Sequence, residues 1–214
     1  VLADGIAEGR RTYANIMKYL RMGTSSNFGN MLTMALASLF LPFLPLTAAQ
    51  ILLNNLLYDL SQTGIPFDTA DEGLLGRPHR WDMKSLMRFT AVMGPLSTVF
   101  DILTFVLLLR VFHVDVAQFR SAWFIESMAT QILVVLVIRT AGPLWRSRPH
   151  PALLASALGG LMVALALPFM PMAGELGFEP LPWHLSAAIA GLVAVYLGLA
   201  EAIKQAALPP SERI

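Results

Sequence analysis

The sequence predicts an all-α membrane protein of six transmembrane helices. Three observations predict it. The 214 residues are 56% hydrophobic and only 14% charged, with a mean hydropathy of +0.61, whereas soluble domains carry about 25% charged residues. Six stretches approach the roughly 20 apolar residues that a helix needs to cross a bilayer. Lysine and arginine are distributed unevenly between the loops.

The six stretches lie at about 26–46, 48–66, 89–112, 121–139, 152–172 and 183–204. The first follows a charged arm, "EGRRTYANIMKYLRM", which is amphipathic and runs without a proline into the span. The second is the most polar. The fifth, "ALLASALGGLMVALALPFMPM", is the cleanest apolar run. Arg10, Arg11, Lys18, Arg21, Arg77, Arg80, Lys84, Arg88, Arg139, Arg146, Arg148, Lys204 and Arg213 all fall on one side of a six-span arrangement. Only Arg110 and Arg120 of the fifteen positive charges fall on the other. The richer side is therefore read as cytoplasmic, with both termini there, in a multi-pass membrane protein. The segment 67–88, "FDTADEGLLGRPHRWDMKSLMR", reads as a cytoplasmic connector.

Several function classes drop out. A net charge of +1 gives no sign of nucleic-acid binding. With no cysteine there is no disulfide framework, thiolate metal site or cysteine nucleophile. His79, His150 and His184 are isolated, without metal-pair spacing. No phosphate-binding glycine loop or nucleophile elbow is present. The eleven methionines are scattered, as core filling would place them. The opening at Val1 is polar and lacks a methionine, and we expect the chain to be part of a longer protein.

Polar groups inside the apolar stretches carry the functional reading, because they are costly in lipid and mark sites or pathways. In "ILLNNLLYDLSQTGIPFD", Asn55 and Asp59 are four apart on one helical face, as are Asn54 and Tyr58. Gly64 and Pro66 then break the helix, which frees backbone carbonyls. In "SSNFGN", Asn27 and Asn30 are three apart, and Gly29 permits close helix approach. A short turn joins the two stretches, so Asn27, Asn30, Asn55 and Asp59 are expected to converge on one cavity. Gln131 is a further oxygen donor. Carboxylate, amide and free carbonyl oxygens are the ligands that hard divalent cations take. For any single asparagine, interhelical hydrogen bonding is the commoner role; the cluster with Asp59 reverses that balance. Asp101 serves either an ion or proton pathway or a structural hydrogen bond. Glu126 is placed near the outer end of its span, where it reaches water or lines an ion entrance.

Together "ADGIAEGRRTYANIMKYL", "SSNFGN", "LPFLPL", "ILLNNLLYDLSQTGIPFD", "RPHRWD" and "GPLSTVFDILTF" closely resemble the C-terminal transmembrane region of bacterial magnesium-transporting P-type ATPases. The resemblance implies helices five to ten of a ten-helix pump. It also implies a division of the chain. Residues 1–22 would be the end of the phosphorylation domain and the stalk, 23–66 the ion-site helix pair, and 67–88 the connector. Residues 89–205 would be a four-helix support, and 206–214 a cytoplasmic tail. Asn27, Asn30, Asn55, Tyr58, Asp59 and Gln131 fall at the family's ion-ligand positions, with magnesium as transported substrate. Calcium pumps of the wider family carry a carboxylate where this chain has Asn30. The family's DKTGT aspartate, TGE loop, nucleotide-binding domain and fourth helix are not among these residues. No catalytic residue is therefore assigned, ATP belongs to the full-length protein, and the implied partners are the lipid bilayer and the pump's helices one to four and cytoplasmic domains. A calcium or other cation pump, and a non-enzymatic six-span scaffold or channel, are the competing readings; Asp59 with Asn55 separates the pumps from the scaffold.

Overall fold

A computed structural model describes residues 2–69, 76 and 82–208. Arg77, His79, Arg80, Arg213, half of the 67–88 connector and most of the 206–214 tail lie outside the described residues. Six α-helices make up the described chain, with no strand among the described residues: α1 (Leu2–Phe40), α2 (Ala48–Ser61), α3 (Met83–Val106), α4 (Val116–Ile138), α5 (Pro151–Ala166) and α6 (Trp183–Ala207). Four of them, α3 to α6 with the short turns that extend α3 and α5, are long and apolar enough to cross a membrane. The two that fall short of that test, α1 and α2, carry most of the polar residues singled out above.

The charged arm and the first apolar stretch form one continuous helix of 39 residues. No proline interrupts it until Pro42, and the residue before a proline disfavours helical geometry, so α1 stops at Phe40. Thr47 starts α2 with a capping box: its hydroxyl accepts from the Gln50 backbone N–H, and the Gln50 side chain accepts from the Thr47 N–H. Fourteen residues later α2 ends, and Ile65–Phe67 add a single 3₁₀ turn. The break anticipated at Gly64 and Pro66 is therefore present.

Small residues set the helix spacing. Ser25, Gly29 and Thr33 form a stripe on α1 against Gly94, Ser97, Thr98 and Asp101 of α3. A Cβ at Gly29 would lie 3.1 Å from the Gly94 carbonyl oxygen, and one at Gly94 would lie 2.6 Å from Phe28 Cδ1. Hydrogen bonds run down the same seam, from Thr90 to Thr24 (2.9 Å) and from Thr98 to the Gly29 carbonyl (3.1 Å). Without a hydrophobic drive in lipid, close packing and such bonds hold helices together.

The pillar of the bundle is α4. Nearly nine-tenths of its apolar window is buried, and every other helix packs on it. Phe119 and Trp123 of α4 interlock with Phe105 of α3 at centroid distances of 5.0 and 4.9 Å. Gly64 seats the end of α2 on the start of α5, where the Gly64 N–H donates to Ser156 Oγ, which in turn donates to the Ser61 carbonyl. A Cβ on Gly64 would come within 2.5 Å of Ala152 and Leu153 backbone atoms and of Ser156 Oγ. Gly64→Ala is therefore expected to cost about 1–3 kcal/mol through overpacking, read as a lowered thermal unfolding midpoint in detergent. An unchanged midpoint would show that the contact yields freely.

Lys204, one of the charges on the richer side, is buried, donating to the carbonyls of Val137 (3.1 Å) and Gly142 (2.7 Å) and pairing with Glu201 (2.7 Å). The last carbonyls of a helix have no partner within it, and a cation is favoured there. Lys204 thus ties α6 to the end of α4.

Candidate cation site

Between α1 and α2, which run antiparallel on either side of it, lies an open cleft of about 370 Å³. Asn27 and Asn30 reach it from α1, Asn54 and Asn55 from α2, and Trp123 and Ser127 from α4. The i, i+3 spacing on α1 brings its two amides to one face. Gln131 stands behind them: its amide donates to Ser127 Oγ (2.5 Å) and to Asn30 Oδ1 (3.4 Å). Asn54 was noted in the sequence only as a neighbour of Tyr58. It is buried, and its Nδ2 makes no hydrogen bond among the described residues. Asn27 and Asn55 are exposed, so the cleft is open on the side facing away from the bundle.

Asp59 does not join these amides. It lines a separate cleft of about 470 Å³ with Asn15, Tyr19 and Gln62, toward the arm of α1. The physical reason is simple: Asp59 shares the face of Asn55 but sits one turn further along α2, about 6 Å down the axis. Tyr58 is buried beside Ser26 and Gln62 and lines neither cleft. The expected single convergence of Asn27, Asn30, Asn55 and Asp59 is thus replaced by two clefts in succession.

Asp101 has structural partners. It accepts from Thr33 Oγ1 of α1 (2.6 Å) and from Trp123 Nε1 of α4 (2.8 Å), so one carboxylate joins three helices. Glu126 corrects the sequence reading. It is fully buried rather than at a watery outer end, because α4 is covered on every side, and it lies beside Asp101 with Tyr196 of α6 nearby.

Sequence reasoning missed Asp68. This buried carboxylate accepts from Lys18 Nζ of α1 (2.7 Å), from Arg139 Nη1 at the end of α4 (3.0 Å) and from the His150 N–H before α5 (3.1 Å). Asn15 closes the junction by donating to the carbonyls of Pro66 and Asp68. Burial opposes the charged form of Asp68, but Lys18, the His150 N–H and Arg139 outweigh it and hold the carboxyl below the usual aspartate range. The one available signal was an aspartate placed directly after a helix break.

A model of the family described as "Cation transporting ATPase, C-terminus" matches residues 43–206. The chain belongs to this family. Among members of known type, the magnesium-transporting ATPase, P-type 1, of Salmonella typhimurium is 42% identical over 209 residues, which is 95% of this chain and 23% of that protein. The magnesium-transporting ATPase, P-type 1, of Escherichia coli K12 is 41% identical over the same shares. The calcium-transporting ATPase of Bacillus subtilis is 27% identical over 203 residues, 86% of this chain and 22% of that protein. The chain thus spans about a quarter of the length of these relatives. Membership of the cation transporting ATPase family, with the four apolar helices, makes this a multi-pass membrane protein.

Proposed function

We propose that this chain is the ion-binding and translocating C-terminal membrane part of an ATP-driven P-type magnesium importer. The observation that carries the reading is the cleft where α1 and α2 bring Asn27, Asn30 and Asn55 together, with Gln131 behind. Neutral amide oxygens suit a magnesium ion that keeps part of its water shell. Six waters occupy roughly 180 Å³ at liquid density, which fits within the cleft's volume of about 370 Å³. Relatives named for magnesium transport are 41–42% identical, against 27% for the calcium-transporting one, which favours magnesium over calcium.

In this reading all six helices cross the cytoplasmic membrane of a bacterium as helices five to ten of the pump, with both termini in the cytoplasm. The unequal distribution of lysine and arginine supports that orientation. Residues 1–22 form the stalk, 23–66 the ion-site pair, 67–88 the connector, 89–205 the support and 206–214 the tail. The exposed amides of Asn27 and Asn55 face the fourth helix of the same pump. ATP is bound and hydrolysed by domains outside these residues. Asp59 lies on the path between the amide cleft and the cytoplasm, with Tyr58 buried beside it.

The test is uptake by the full-length protein in sealed vesicles loaded with a magnesium-sensitive dye. ATP-dependent entry of magnesium, with calcium a poor competitor, is the expected result. Calcium uptake at equal or higher rate would replace this reading with a calcium pump, and ATP-independent flux would replace it with a channel.

A further inference from the structure

We propose that Asp101 and Glu126 hold a single proton between them behind the wall of the amide cleft, and that a divalent cation entering the cleft releases it. The inference rests on the transport reading above and deepens it, by adding a proton to what the site binds.

Glu126 is completely buried, and neither of its carboxyl oxygens receives a hydrogen bond from a donor among the described residues. It faces the carboxyl of Asp101 at hydrogen-bonding range. Both Asp101 oxygens already accept, Oδ1 from Trp123 and Oδ2 from Thr33. Two carboxyl groups in such contact need a hydrogen between them, and the donors to Asp101 leave Glu126 as its carrier. Tyr196 of α6 faces the pair, with Tyr58 of α2 near it, and α5 carries no titratable side chain. Among the described residues no lysine, arginine or histidine pairs with either carboxyl. No cation therefore replaces the proton, and two adjacent buried carboxyl groups do not both ionise unaided.

The pair is joined to the cleft through its wall. Trp123 and Ser127, one turn before Glu126 and directly after it on α4, both line the cleft. Thr33, which donates to Asp101, lies one turn from Asn30 on α1. No carboxylate lines the cleft among the described residues, so a dipositive ion there is balanced by charge behind the wall. With the proton in place the pair carries one negative charge; without it, two. The step is a proton transfer alone: the O–H bond of Glu126 breaks, its electron pair stays on the carboxylate, and the proton passes to water. Adjacent carboxylates repel, so the proton leaves when the charge of the cation takes its place. By linkage, the proton weakens cation binding by the same factor as the cation weakens proton binding.

The experiment titrates the nucleotide-free full-length pump with magnesium chloride. Infrared difference spectra are expected to lose the carbonyl stretch of a protonated carboxyl as magnesium binds, and Glu126→Gln to lack that change. Magnesium affinity should rise about tenfold or more between roughly pH 6 and roughly pH 9 in the wild type, and less than about twofold in Glu126→Gln, which keeps a neutral donor against Asp101. Magnesium binding without loss of the band, or a pH dependence that persists in Glu126→Gln, overturns the proton site and leaves the amide cleft standing. Asn55→Leu should abolish magnesium binding and the band loss together; unchanged binding in that variant overturns the transport reading instead. Should Glu126→Gln fail to fold, the wild-type spectrum still decides, because a band that stays constant as magnesium binds refutes the release.

Discussion

Asp68→Ala is expected to destabilise the protein by about 3–5 kcal/mol, because two buried cations, Lys18 and Arg139, lose the carboxylate they share. The loss should not stay local. Lys18 belongs to α1, Arg139 ends α4 and His150 precedes α5, so one side chain holds three elements at the junction. Denaturant unfolding in detergent measures it, and a change under 1 kcal/mol would show that the junction is held by packing alone. The pH dependence follows from the direction of the shift. Asp68 is held below the ordinary aspartate value of about 3.9 in the folded state. Its contribution is therefore complete above that value and is lost as pH falls through the lower, folded-state value. Wild-type stability should decline on acidification below roughly pH 5, and Asp68→Asn should remove the part of that decline that belongs to this group.

The second large effect is functional. Asn55→Leu keeps the side chain's bulk and removes its carbonyl oxygen from the amide cleft. Magnesium uptake by the full-length pump is expected to fall at least 10–100-fold, roughly the loss seen when even supporting residues of metal sites are changed. Because Asn55 is exposed and makes no hydrogen bond that anchors the fold among the described residues, the unfolding free energy should stay within about 0.5 kcal/mol of wild type. Uptake and stability would thus separate cleanly. Normal uptake in the variant would remove Asn55 from the transport path.

Local rules made part of this arrangement readable. The i, i+3 spacing put Asn27 with Asn30 on one cleft, and the short turn to Thr47 set α1 and α2 antiparallel on either side of it. Gly29 announced a close approach, and Gly94 proved to be what it approaches. What stayed hidden depends on crossings between distant segments. Asp68 lies 50 residues from Lys18 and 71 from Arg139, and nothing in hydropathy pairs them. Glu126 looked like a water-facing acid because its depth was judged from span ends, whereas the deciding fact is that α4 occupies the middle of the bundle. The parting of Asp59 from the amides follows from one helical turn of rise, set against an α1 long enough to offer a second set of neighbours to it.

The brevity of α2 has an electrical consequence. Fourteen residues span about 21 Å, against roughly 30 Å of hydrocarbon. A helix that stops short draws the aqueous boundary inward at its ends, where Gln62 to Pro66 and the Thr47 turn present polar backbone. If α2 crosses the membrane as proposed, the membrane voltage drops over a thinner slab beside α2 than beside α6. On the proposed transport reading, a cation crossing there would meet the potential difference over about 21 Å rather than roughly 30 Å, so the rate of its passage should steepen with applied voltage.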